Sequence, residues 1–270
     1  MAVVFSDALV AARSLEGTDP PIFCYDNRVT VSNVAADEED TDYPAVNLAN
    51  AATNLLWKSG STAEQYITVT LDPSNPVDYI AIARHNLGSG LCVVSVEGIT
   101  ADMGAMWEEL VGETLLGDDS AAVFLFDEAH LAGIRLRLQP DAVEPQIAVV
   151  STGLKLSMQR GVQAGHVPVP YARSLDAIGG RAPSGDYLGT VINRVTLATS
   201  MTFKALDPAW VRTYLVPFLL VFHEPFFFAW RPVHYPRECG YAWGTNDPMP
   251  SPSTLTGLID ISFEIAAVSA

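Results

Sequence analysis

Three cysteines among 270 residues, Cys24, Cys92 and Cys239, lie far apart with no CxxC or CxxH spacing. Neither a zinc site nor a disulfide framework is expected, and the thiols read as reduced and partly buried. Cations are scarce as well: 15 Lys and Arg face 31 Asp and Glu, a formal charge of −16. Such a surface repels the phosphate backbone that a nucleic-acid binder must capture. Long hydrophobic runs are missing, and the most apolar segment, 215–230, is broken by Pro217, His223, Glu224 and Pro225. That is too short and too interrupted for membrane insertion. The first residues lack a cationic start, and Asp7, Arg13 and Glu16 interrupt their apolar stretch, so no signal peptide is read. GxSxG, HExxH and GxxxxGK(S/T) do not occur. Gly88-Ser89-Gly90 has neither the third glycine nor the following helix of a phosphate cradle and reads as a turn. No catalytic residue, cofactor or metal is assigned.

What is present is a chain with 49% apolar and 17% charged residues, a composition for globular domains with ample length for a core. The charge is unevenly spread. Residues 1–150 hold 6 Lys and Arg against 23 Asp and Glu, net −17, while 151–270 hold 9 against 8, net +1. This step implies two units, 1–156 and 157–270. In the first, short strands recur between Gly, Pro and Asp. They are expected within 27–34, at 66–71 with Ile67, Val69 and Leu71 on one face, and at 77–84, 91–96, 122–126, 133–138 and 146–156. Strands at this spacing point to an antiparallel sandwich or jelly roll. The loop Asp37, Glu38, Glu39, Asp40, Asp42 lacks the glycine-punctuated alternation of a calcium site and reads as solvated. In the second unit, 160–189 has six Gly, three Pro and little periodicity, and is expected to be a long arm that orders on a partner. A strand at 191–204 precedes a short helix opened by Asp207 and Pro208, with Trp210, Val211, Tyr214, Leu215 and Phe218 on its apolar stripe and a stop or kink near Leu215 from Pro217. Strands at 226–230, 240–243 and 258–265 follow. The expected class is mainly β: a β-sandwich or jelly roll, then an antiparallel split barrel carrying one short helix.

Asn47-Leu48-Ala49-Asn50, Trp57-Lys58-Ser59-Gly60, the strand 66–71, and 77–87 ending in His85-Asn86-Leu87 stand in an order that resembles the galactose-binding-like, or discoidin-like, jelly roll over about 25–155. That resemblance implies sugar binding through loops at one end of the sandwich, with aromatics stacking on the pyranose and polar groups bonding its hydroxyls. The residues it would employ here are Asp42, Tyr43, Trp57, Arg84, His85 and Asn86. The alternative is that Trp57 packs under its loop and Asn86 caps a turn. Fold alone assigns no function.

The strand 191–204, the helix 207–216, Pro225-Phe226-Phe227-Phe228-Ala229-Trp230-Arg231-Pro232, Tyr235 to Trp243 and Gly257 to Glu264 together resemble the ring-forming domain of distal-tail or baseplate proteins of long, non-contractile-tailed phages. Those proteins usually place the ring domain first, and here the order is reversed. The resemblance implies a virion tail-tip component, assembled in the host cytoplasm, with copies of itself in a ring (hexamer or trimer), other tail proteins and a host surface glycan as partners. Aromatics dominate interfaces, so Trp210, Phe227, Trp230, Tyr241 and Trp243 are the interface candidates; the alternative is that they fill one core. Two competing classes stand beside this one: a carbohydrate-binding or carbohydrate-active protein outside any virion, and a hydrolase using scattered carboxylates, whose spacing across a cleft a sequence does not reveal.

Overall fold

The computed structural model describes residues 3–13, 19–100, 106–253 and 257–268. In chain order its strands are β1 (Val3–Phe5), β2 (Ile22–Cys24), β3 (Val34–Ala36), β4 (Trp57–Lys58), β5 (Gln65–Thr70), β6 (Val77–His85), β7 (Val93–Thr100), β8 (Glu108–Leu115), β9 (Ala122–Ala129), β10 (Leu131–Gln139), β11 (Gln146–Gly153) and β12 (Lys155–Ser157), followed by β13 (Arg173–Arg181), β14 (Tyr187–Leu206), β15 (Phe226–Ala229), β16 (Cys239–Gly244), β17 (Ser251–Pro252) and β18 (Ile259–Ala267). The molecule is mainly β. Its contacts group the described residues up to Gly161 with Pro225–Tyr241 in one unit, and Val162–Glu224 with those from Ala242 onward in a second. The stretch 225–241, assigned from sequence to the second half, packs in the first unit: β15 pairs with β2, Phe228 opposite Phe23.

Two five-stranded sheets make the sandwich of the first unit, in the orders β1-β9-β6-β11-β4 and β3-β5-β10-β7-β8. The alternation read at 66–71 becomes β5, where Ile67 and Val69 are buried and face the interior with Ile134, Leu136 and Leu138 of β10. Hydrophobic burial of this shared face holds the sheets together. The expected strand within 27–34 is a turn instead. The Asn33 side chain accepts from the Thr30 amide and donates to the Arg28 and Thr70 carbonyls, and the strand begins only at Val34. Strand β8 went unread because Glu108, Glu109 and Glu113 interrupt its alternation; only Val111 is buried.

In the second unit β14 lies between β13 and β18, with Ala242–Gly244 of β16 also on β18. Phe203, Phe218, Phe222 and Phe263 form its buried aromatic centre, the last two 5.2 Å apart. The helix opens as read: the Asp207 carboxylate accepts from the Ala209 and Trp210 amides. It does not stop at Leu215. It widens into a π-helical turn, Val211–Leu215, and runs on as Val216–Leu220. Widening lets the backbone absorb Pro217, which lacks a donor and crowds the preceding turn. The expected structureless arm is also corrected, since Arg173–Arg181 is a regular strand paired with β14.

Candidate functional site

Strand β6 is the middle strand of its sheet, between β9 and β11, and its last residues enter the loops at one end of the sandwich. Arg84 has φ +54°, the left-handed region that costs a non-glycine residue about 1 kcal/mol or more and recurs at binding sites. Its side chain is exposed and, among the described residues, has no ion-pair or hydrogen-bond partner. His85 turns inward: Nε2 lies 2.8 Å from the Ser120 carbonyl, while Nδ1 accepts from the Leu87 amide. The two bonds together place the ring proton on Nε2. Burial lowers the His85 pKa, with smaller opposing effects of the Ser120 carbonyl and of Asp119 and Asp118. Asn86 stitches two loops, accepting from the Gln146 amide at 2.8 Å and donating to the Glu144 carbonyl at 2.9 Å.

The neighbouring loop is drawn in by Gly88. A Cβ there would sit 2.2 Å from the Asp118 carbonyl oxygen, so only glycine permits the approach. This brings the Ser89 amide to Asp119 Oδ1 at 2.8 Å. The result is a cleft of about 280 Å³ lined by Leu56, Arg84, His85, Asn86, Asp119 and Gln146. At the same sheet edge Lys58, on β4 opposite Gln146, pairs with Glu144 at 2.7 Å, a contact that raises the Lys58 pKa.

Arg84, His85 and Asn86 are thus brought together as expected, but in different capacities. Arg84 is available to a ligand, whereas His85 and Asn86 spend their polar atoms shaping the wall. Trp57 corrects the sugar-stacking expectation: it is wholly buried in the sandwich core, its Nε1 donating to the Glu38 carbonyl at 3.1 Å. Asp42 and Tyr43 are exposed but do not line the cleft. Asp119 and Gln146 do line it and were not singled out; a lone acid in a turn and a glutamine at a strand start carry no sequence signal. The acidic loop bonds largely to itself and its neighbours, Glu39 accepting from the Ala45 amide, Asp40 from the Asp42 amide and Glu38 from Ser61 and Gln65. Among the described residues no group of three or more His, Cys, Asp or Glu is placed to hold a metal ion, and no helix is long and apolar enough to cross a membrane.

The five interface candidates separate. Phe227 and Tyr241 are core, with rings 4.9 Å apart and the tyrosine hydroxyl donating to the Ala51 carbonyl, which removes them from any interface. Trp230 is half-buried, stacked on Tyr235 with its indole N–H held by Glu238. Trp210 is half-buried against Tyr214, and Trp243 is exposed.

No protein-family model matches the chain, and no curated protein matches it. Solved structures similar to it include chitosan-binding module 1 of a chitosanase/glucanase from Paenibacillus sp. IK-5, at 12% identity over 47% of this chain and 98% of that one, TM-score 0.41. A CBM32 module from Clostridium perfringens in complex with GalNAc-β-1,3-galactose is 13% identical over 44% and 93%, TM-score 0.38. The CBM32 of AlyQ in complex with 4,5-unsaturated mannuronic acid is 19% identical over 47% and 95%, TM-score 0.37. The chain is mainly β, and about half of it resembles the jelly roll of CBM32-type modules.

Proposed function

We propose that this chain is a non-catalytic glycan-binding protein whose site is the cleft formed by Arg84, Asp119 and Gln146. The observation that carries the reading is Arg84, an unpaired guanidinium held in left-handed backbone at the rim of a preformed cleft, in a chain where acids outnumber bases two to one. Its donors, Asp119 Oδ2 and the side-chain amide of Gln146 together supply both senses of hydrogen bond, as vicinal sugar hydroxyls require. Leu56 adds an apolar wall. One carboxylate opposite one guanidinium suits binding; glycoside hydrolysis generally employs two carboxylates. The ligands in the similar modules favour the same class, chitosan for the first and GalNAc-β-1,3-galactose for the second.

A glycan array followed by titration calorimetry tests this. Arg84→Ala and Asp119→Ala are each expected to weaken binding by about tenfold or more, the loss of a charge-assisted hydrogen bond, while Tyr43→Ala leaves it unchanged. Absence of any glycan signal, or binding untouched by both cleft substitutions, overturns the reading.

A further inference from the structure

Strand β14 outruns its sheet. It pairs with β18 only from Leu197 to Leu206, and among the described residues 187–196 pair with β13 alone. Beyond that point the structure is a two-stranded ribbon with β13 as the edge strand. Register shifts leave extra residues in β14 opposite the Asp176/Ala177 and Gly179/Arg181 steps, which swings its side chains between faces. Cross-strand partners share a face. Ile178 and Val191 are paired, and Leu188 lies beside Gly180 on their side; Leu175, Tyr187 and Ile192 occupy the other. All six are more than half exposed.

A two-stranded hairpin is marginal in water by itself, and apolar side chains on both faces leave it no inner side. The three on each face supply on the order of 300 Å² of apolar surface, under half of the ~800 Å² that one partner contributes to a standard interface, so each face-to-face contact falls in the weak class. Charge selects the occupant. Arg173, Arg181 and Arg194 are interspersed with Asp176 and Asp186, so the ribbon is nearly neutral in a chain of −16. Copies approaching through the acidic first unit repel one another; ribbon against ribbon, they meet apolar surface and opposite charges. A cationic partner would be drawn to the acidic unit instead. We propose that the ribbon is a self-association surface, each face covered by the ribbon of another copy of this chain. A twofold dimer covers the same face on both copies and leaves the other bare, so the assembly is larger than a dimer.

Sedimentation velocity and light scattering on the full chain test the proposal, with hydrogen exchange as a second reading. The unaltered chain is expected to form a species larger than a dimer, and amides of β13 to exchange more slowly as concentration rises. The variants I178T/L188T/V191T and L175T/Y187T/I192T each strip one face while keeping strand-favouring residues, and each should weaken association by at least about a hundredfold. A chain that stays monomeric or dimeric up to on the order of 1 mM, above the working range of a weak interface, overturns the proposal. So does β13 exchange that ignores concentration, or assembly unchanged in both variants. A monomeric result would assign the ribbon to a different partner.

Discussion

Burial removes Trp57 from the cleft, because its indole completes the sandwich core while the Glu38 carbonyl holds its N–H. Trp57→Ala should therefore cost about 3–5 kcal/mol of stability, the range for deleting a large aromatic from a close-packed interior, read as a fall in the denaturation midpoint. His85 is a second residue whose role lies in the wall. Its folded pKa is lowered from 6.5 by burial, so the unfolded chain binds the proton first as pH falls. The stability from neutral His85 is complete above pH 6.5 and is lost as pH drops below it toward the folded value. Unfolding midpoints between pH 7.5 and 5.5 check this. The decline is expected in the parent chain and should flatten in His85→Gln, which keeps a donor for the Ser120 carbonyl but does not titrate. Asp118, whose pKa is lowered by the Ser120 hydroxyl, loses its contribution only in more acidic solution, below its ordinary 3.8.

The clearest elements are those in which one physical rule acts alone. Period-two alternation in β5, β10 and β18 was legible because each has one buried face and one half-buried to exposed face. The helix start was legible because an aspartate before a proline satisfies free amides within three residues. Asp207→Ala should lower stability by about 1 kcal/mol, measured by thermal unfolding; no change would mean that tertiary packing alone holds the first turn. Elements in which rules compete were misread. Pro217 argues for a helix end or a kink near Leu215, and of the two the helix takes the irregularity: burial of Phe218 and Phe222 beside Phe263 continues it past the proline through a widened turn. The glycine-rich stretch that includes β13 lacks a buried face, so its pairing with β14 left no periodic trace.

Across the molecule, the charge step near residue 150 marks a real difference between an acidic sandwich and a nearly neutral second unit, yet the chain does not divide once. It returns to the first unit at Pro225–Tyr241, where β15 joins β2 through Phe23, Phe226 and Phe228. The aromatic run that read as an interface is largely interior. The sequence by itself determined what local rules encode: the mainly β class, the alternating strands, the capped helix and the −16 charge. Tertiary structure alone decided which aromatics are buried, that Asp119 and Gln146, remote in the chain, line the same cleft as Arg84, and that the described residues leave the ribbon bare on both faces. Those outcomes depend on contacts between residues remote in the chain, which composition and periodicity do not record.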